Sequence, residues 1–395
     1  MRYALLLLTC WLMPATELRF RQHTIAADLE GGYQVVAADL NKDGRPDLIA
    51  LASGMDELIW FENPGWRRHV IARGRSQMIN LAAADLDGDG IPEIVLAEGF
   101  AMDPRKSGGV ISLLKHQGDP RGLWSVTEID RLPASHRLRW ADPDGSGKKV
   151  LMNAPLAGAG AVPPGYRARV PLVLYRPGAW KREVISDELE GVLHGIRVTD
   201  WDGDGRDEIL TASFGGIAVF KLAKDGRWQK TGLAQGDPAP WPKCGASDVD
   251  TGRLGEKKFF CSIEPWHGNQ VAVYFNEGGA WKRNVIEDKL VDGHALLAAD
   301  LDRDGRDEII AGFRGKGGSV WIYRAEDAGG NRWTRTALDE GGMAAASCAL
   351  AGSNLACIDN HRLKWYEGAP WGPLIGVHLR SSAARNAFSA ADERR

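Results

Sequence analysis

The stretch "GHALLAADLDRDGRDEIIAGFRGKGGSVWIYRAEDAGGNRWTRTAL" (residues 293–338) holds one complete structural unit. An apolar run ends at Asp300 and an acidic turn follows. Then come a second apolar run (EIIAGF), an aromatic one (VWIYR) and an alternating one that opens on Trp333. Short apolar or alternating runs between Gly-rich turns read as four β-strands. The unit recurs. The first run and its Asp reappear as VVAAD (35–39), LAAAD (81–85), LRWAD (138–142), IRVTD (196–200) and GASDVD (245–250). The aromatic run reappears as LIWFE (58–62), LVLYR (172–176), IAVFK (217–221), VAVYF (271–275) and LKWYE (363–367). The Trp-led strand reappears as WRRHVI (66–71), WSVTEI (124–129), WKREVI (180–185), WQKTGL (228–233) and WKRNVI (281–286).

Four short strands over roughly 40–55 residues are the measure of a propeller blade. Six such units are clear, and "MAAASCALAGSNLACID" (343–359) is a degenerate seventh. If the Trp strand is the outermost of its blade, the ring needs one more at the start. FRQHTIA (20–26) supplies it, and it is expected to pair with LKWYE and close the ring. The sequence therefore predicts an all-β, seven-bladed β-propeller of four-stranded blades over residues 16–372. The N-terminal residues 1–15, with Arg2 before an apolar run, read as a secretory signal, and 373–395 as a flexible polar tail. Cys10 offers a less favoured lipid anchor.

The chain has 395 residues, 15 tryptophans and a net charge of −3. Nothing in that balance points to nucleic acid or an anionic membrane, and no stretch beyond the signal is long and apolar enough to span one. No nucleophile triad, phosphate cradle or dinucleotide fingerprint is found.

Four turns carry a full acidic set: Asp39, Asn41, Asp43, Asp47; Asp85, Asp87, Asp89, Glu93; Asp200, Asp202, Asp204, Glu208; and Asp300, Asp302, Asp304, Glu308. Carboxylates at alternate positions, with a Gly for the sharp bend, are what a hard cation needs. Their mutual repulsion argues for structural calcium, up to four ions. Blades 3, 5 and 7 lack the full set. In blades 5 and 7 a cysteine pair flanks the defective turn, so Cys244–Cys261 and Cys348–Cys357 are expected to be disulfides that replace the metal.

The repeat resembles the FG-GAP/VCBS family of calcium-binding propeller repeats. Blades 6 and 7 more narrowly resemble the propeller domain of aldos-2-ulose dehydratase and related secreted proteins. That resemblance implies a calcium-stabilised, carbohydrate-related protein, with adhesive and lectin-like relatives as well as enzymes.

The face opposite the acidic turns is the candidate site. Six residues before the turn Asp the units carry Tyr33, Ile79, His136, His194, Pro242, His294 and Met343. At about 3.3 Å per residue, six residues span roughly 20 Å, which places these side chains at the far channel mouth. His136, His194 and His294 can hold zinc or another divalent transition metal there, with an open position for substrate. Arg314, His267 and Tyr33 are further catalytic candidates. Trp241, Trp266, Arg167, Arg169, Lys316 and His361, on loops of the same face, are candidate carbohydrate-binding groups. The reaction class this set suits is β-elimination on a keto-sugar or uronate, that is, a dehydratase or lyase. The alternative is a non-catalytic carbohydrate- or protein-binding propeller.

Overall fold

The computed structural model describes residues 18–368. These form seven four-stranded antiparallel sheets, six of them built from four consecutive strands. In the seventh, Phe20–Ala26 pairs with Leu363–Gly368, with Phe20 opposite Gly368 and His23 opposite Trp365. The expected closure by the N-terminal strand is therefore the one observed. The inner strands are Gly32–Ala38, Asn80–Ala84, Ser135–Ala141, Leu193–Thr199, Asp248–Leu254, Gly293–Ala299 and Ser347–Ala351. They touch one another in unbroken order around the ring. The expected signal segment, with Cys10, and the tail 373–395 lie outside the described residues. No helix among the described residues is long and apolar enough to cross a membrane.

The second strand of a blade is covered on both faces, so its six residues are all buried in Glu208–Ser213 and Glu308–Phe313. Apolar clusters fill the spaces between blades. Ile49, Leu51 and Trp60 of blade 1 meet Ile94, Leu96 and Leu114 of blade 2. Phe259, Val273 and Phe275 of blade 5 meet Ile309, Ala311 and Tyr323 of blade 6. Full burial of each such side chain contributes about 1.5–3 kcal/mol. An inner strand also leaves an edge unpaired toward the axis. Polar side chains of the preceding blade cap it: Gln34 bonds both the N–H and the C=O of Leu81 (2.7 and 3.1 Å). Asn80 accepts from Leu138 N (2.9 Å) and Asp250 from Ala298 N (3.0 Å).

The acidic turns are held by their own backbone. The first Asp accepts from the turn glycine, as in Gly44 N to Asp39 (2.9 Å) and Gly305 N to Asp300 (3.0 Å). The last acid accepts the N–H one residue after the first Asp: Leu40 to Asp47, Leu86 to Glu93, Trp201 to Glu208 and Leu301 to Glu308, at 2.8–2.9 Å. Blades 3 and 5 borrow that acceptor from the next blade, Asp207 for Asp142 N and Asp307 for Arg253 N. In blades 2, 4 and 6 a cation at the end of the third strand reaches into the turn. Lys115 meets Asp87 and Glu93, Lys221 meets Asp202, Asp204 and Glu208, and Arg324 meets Asp302 and Glu308. Carboxylate repulsion therefore does not by itself demand a metal in those three turns. The matching residue of blade 1 is Glu62, which accepts from Asn41 (3.1 Å).

One expected disulfide is present. Cys348 lies directly opposite Cys357 in the blade 7 hairpin and is bonded to it. The other is not: Cys244 and Cys261 are free thiols. The cause is the register of blade 5. Its inner strand, Asp248–Leu254, runs straight through the residues expected to form an acidic turn, and the hairpin bends at Gly255 instead. Val249 and Thr251 favour the extended chain. Cys261 consequently faces Asp250, while Cys244 lies ahead of the strand with its thiol on Phe214 O (3.2 Å).

Candidate metal centre on the propeller axis

In blades 1, 3, 4 and 6 the pairing of inner and second strands slips by one residue. The slips fall between Gly32 and Gln34, Ser135 and Arg137, Leu193 and Gly195, and Gly293 and Ala295. The unpaired residues are Tyr33, His136, His194 and His294. A β-bulge re-aims the side chain it carries, and here it places all four in one cluster. Blades 2 and 5 pair without a slip. Because blade 5 is shifted, Pro242 does not take the corresponding place. The backbone of Ser247 does, against His194.

A further ring enters from the loop after the second strand of blade 5. His267 has φ 50° and its neighbour Asp292 φ 61°, left-handed conformations that are strained for residues other than glycine. Ring centroids of His194, His267 and His294 lie 4.9–5.1 Å apart. One ring nitrogen from each of the three falls within 4.8 Å of the others, and the Nε2 atoms of His194 and His267 are 3.2 Å apart. A tetrahedral zinc site with bonds near 2.0–2.1 Å separates its nitrogens by about 3.3 Å.

The tautomers follow from the partners. His194 Nδ1 faces Ser247 O (3.0 Å) and His294 Nδ1 faces Ala346 O (2.5 Å). A carbonyl can only accept, so both rings carry their proton on Nδ1 and leave Nε2 bare toward the cluster. Metal-ligating imidazoles are oriented in this way. Burial, with Arg137 and Arg314 nearby, holds His136, His194 and His294 well below the usual imidazole range. Burial and Arg314 lower His267 to about 4. All four rings are neutral at physiological pH. His267 Nδ1 lies between Arg314 (3.2 Å) and Asp292 (3.3 Å), so it can accept from one or donate to the other. The cluster is thus a His-rich site capable of coordinating a metal ion.

His136 stands one ring outside that trio, 4.9 Å from His194 between centroids. Its Nε2 meets Tyr33 Oη (3.1 Å) and Arg137 Nη1 (3.0 Å), while Tyr33 also reaches His294 Nε2 (3.2 Å). Arg314 is tied to Asp292 (3.0 Å). Trp266 packs on His267 (4.8 Å) and Tyr166 (5.8 Å). Trp241 stacks under Arg167 (4.5 Å), away from the rings. Arg169 is exposed and pairs with Asp187, Lys316 is exposed, and His361 bonds Leu29 O. Sequence reasoning missed Arg137, Asp292 and Ser247. For Arg137 the available signal was a second basic residue beside His136 in a strand otherwise destined for the core.

Comparisons with known proteins agree with the propeller fold. Residues 108–277 match the family model described as aldos-2-ulose dehydratase, beta-propeller domain, and residues 39–96 match an FG-GAP-like repeat. The chain resembles the aldos-2-ulose dehydratase propellers. The first matched segment contains His136, Arg137, His194 and His267. Aldos-2-ulose dehydratase of Phanerodontia chrysosporium is 27% identical over 264 residues, covering 56% of this chain. The match spans only 28% of that enzyme's length. Among solved structures, a lectin of Agrocybe aegerita that recognises non-reducing terminal N-acetylglucosamine superposes with a TM-score of 0.52 at 16% identity, covering 86% of each chain. The Dos1 propeller gives 0.55 at 10% identity, covering 89% of this chain and 95% of its own. These two show the fold alone.

Proposed function

We propose that the axial cluster binds a divalent transition metal and eliminates a β-oxygen group from a keto-sugar or uronate. The observation that carries this reading is the convergence of His194, His267 and His294, two of them with Nδ1–H fixed on backbone carbonyls. When bound, zinc or a similar ion polarises a sugar carbonyl as a Lewis acid. The chain's own groups move the protons. His136 Nε2 takes the proton α to the carbonyl, and the Tyr33 hydroxyl gives its proton to the departing oxygen. The 3.1 Å contact between them then returns the proton from His136 to the phenolate. The pair ends as it began and, for a hydroxyl leaving group, one water is released. Arg314, fixed by Asp292, stands beside His267 and favours the negative charge of the enolate.

The likeness to aldos-2-ulose dehydratase supports a carbohydrate substrate. The Cys348–Cys357 bridge supports an exported or periplasmic location, because disulfides persist in oxidising compartments. Calcium in the acidic turns is proposed as structural. A lectin-like role is the second reading. It is favoured by a cleft of about 680 Å³ between blades 3 and 4, lined by Glu188, Glu190, Lys230 and Trp241.

The test joins metal analysis to turnover. Protein purified without added metal is titrated with zinc. Oxidised sugars and uronates are then screened for the ultraviolet absorbance of an unsaturated product. Wild type is expected to bind about one transition metal per chain and to form such a product. The His194→Ala, His294→Ala double variant is expected to fold and lose both. Turnover persisting in the folded double variant, or sugar binding with no metal and no product, overturns the enzymatic reading.

A further inference from the structure

Arg137 carries an observation that the elimination scheme leaves unused. Its side chain is only 5% exposed, and it sits inside the axial cluster beside His136 and 5.8 Å above the Tyr33 ring. The bonds that fix it go to His136, whose Nε2 and carbonyl oxygen face the same Nη1 at 3.0 and 3.4 Å. A guanidinium offers five donors. Among the described residues no carboxylate lies within 4.0 Å of it. Two of the acids around it are paired elsewhere, Asp292 with Arg314 (3.0 Å) and Asp250 with Arg197 (3.0 Å), while the Asp248 carboxylate faces Arg137 and Arg139 together at longer range. Asp248 bonds the N–H of Val249 (2.9 Å). Arg139, the next basic side chain down the channel, rests on the neutral Asn80 and Leu138 carbonyl. The four histidines are neutral.

A buried guanidinium that touches no carboxylate, and shares the more distant Asp248 with Arg139, is left with an uncompensated part of its desolvation cost. A divalent ion on three neutral imidazoles makes the local excess larger, because it brings two positive charges and no ligand anion. The polarity is therefore set for a negatively charged ligand. A neutral sugar supplies only a transient charge, during reaction. A sugar acid supplies a permanent one, in the planar two-oxygen form that a guanidinium fork fits best.

We propose that Arg137 is the carboxylate-binding residue of the axial site and that the ligand class is a sugar acid, a uronate rather than a neutral keto-sugar. The inference rests on the functional reading above for the carbohydrate part alone; the anion preference belongs to the chain itself. Carboxylate binding has a second consequence. A guanidinium drawn onto the ligand removes one of the two partners of His136 Nε2, the atom that accepts the α-proton in the scheme above, and leaves only the Tyr33 hydroxyl on it. A neutral sugar leaves both partners in place.

The experiment is calorimetric titration of the full chain with sodium D-galacturonate and D-glucuronate, against D-galactose and D-glucose. It is run once on metal-free and once on zinc-loaded protein, with metal content measured on each sample. Wild type is expected to bind the acids at least about tenfold more tightly than their neutral counterparts. Arg137→Gln is expected to lose about tenfold to a hundredfold of the acid affinity and little of the neutral one. Arg137→Lys, which keeps the charge without the fork, is expected to fall between. Equal affinity for acid and neutral sugars in wild type overturns the proposal, whether or not the variants fold. So does a folded Arg137→Gln protein that keeps the preference. An acid preference in a preparation that takes up no transition metal upholds the role of Arg137 while the metal reading fails, so the two are separable.

Discussion

At the scale of single residues, the site depends on which nitrogen of each imidazole holds its proton. His194 and His294 are locked as Nδ1–H by Ser247 O and Ala346 O, and burial keeps both uncharged. Nitrogen-15 NMR of the metal-free protein at pH 6 is expected to show both rings neutral, with protonated Nδ1. An imidazolium pattern there would contradict the assignment. The same depression has a stability consequence. Folded pKa values lie below the unfolded value of about 6.5, so between the two the unfolded chain binds more protons. Stability of the metal-free protein is therefore complete above about pH 6.5 and declines as pH falls toward the value of about 4 at His267. Each unit of depression corresponds to about 1.4 kcal/mol once the ring must charge. Burial sets most of the effect; Arg137 and Arg314, which face these rings, add to it, and Asp292 beside His267 opposes it. Thermal melts from pH 8 to pH 4 measure it, and a flat profile would remove the argument. Three of the rings were legible because a repeat makes equivalent positions comparable, and a His where other blades place Ile or Met stands out. His267 and Asp292 were harder to read, since a loop residue's direction depends on backbone conformations that no periodicity encodes. Arg137 was hidden because a strand residue is expected to face a neighbouring blade, and only the bulge at His136 changes that.

At the scale of elements, the acidic turns and the crossovers do different work. A tyrosine of the third strand bonds an acid, and a cation of the same or adjacent strand completes the group. The sets are Tyr175 on Asp130 (2.6 Å) with Arg182, Tyr323 on Glu287 (3.2 Å) with Arg335, and Tyr366 on Asp339 (2.7 Å) with Lys364. These clasps lie between blades and tie blade 2 to 3, blade 5 to 6 and blade 6 to 7. The acidic turns instead close a hairpin within a blade. Three of them carry an internal cation, so calcium must compete with Lys115, Lys221 or Arg324 for the same oxygens. Lys221→Met tests this directly. Without the ammonium, Asp202, Asp204 and Glu208 repel one another, and the variant is expected to melt below wild type in chelator. Calcium is then expected to stabilise it by about 1–3 kcal/mol at saturating concentration, more than it stabilises wild type. A variant that melts alike with calcium and with chelator would count against calcium at that turn. The misread hairpin of blade 5 belongs to this scale as well. Asp248 and Asp250 imitate the spacing of an acidic turn, but the glycine that bends the chain comes only at Gly255.

At the scale of the whole molecule, the repeat alone determined blade number, strand order and ring closure, because four strands per unit and seven units leave a single outer strand to be found at the opposite end of the chain. That closure holds the axial site together, since its rings come from blades 1, 3, 4, 5 and 6 and no blade contains more than one of the converging nitrogens. Removing Phe20–Ala26 would leave Leu363–Gly368 as an open edge carrying Trp365 and Tyr366, and would strip Ala26 from the cluster it shares with Val35, Ile59 and Trp365. Open edges recruit other chains. A chain lacking residues 20–26 is therefore expected to melt lower, to elute as larger species and to lose metal binding at the axis, although no axial residue has been touched. Low expression alone would not separate this cause from simple misfolding, so a rescue is needed. Phe20 stands directly opposite Gly368 in antiparallel register, and a two-residue turn can join them as a hairpin. A permuted chain that begins near residue 27 and carries residues 20–26 behind Gly368 through an Asn-Gly turn restores the same pairs with a different connection. It is expected to recover the wild-type elution volume, the melting temperature and the axial metal site together. Recovery of the melting temperature without metal binding would show that the site depends on the original connection at Ala26 rather than on closure of the ring.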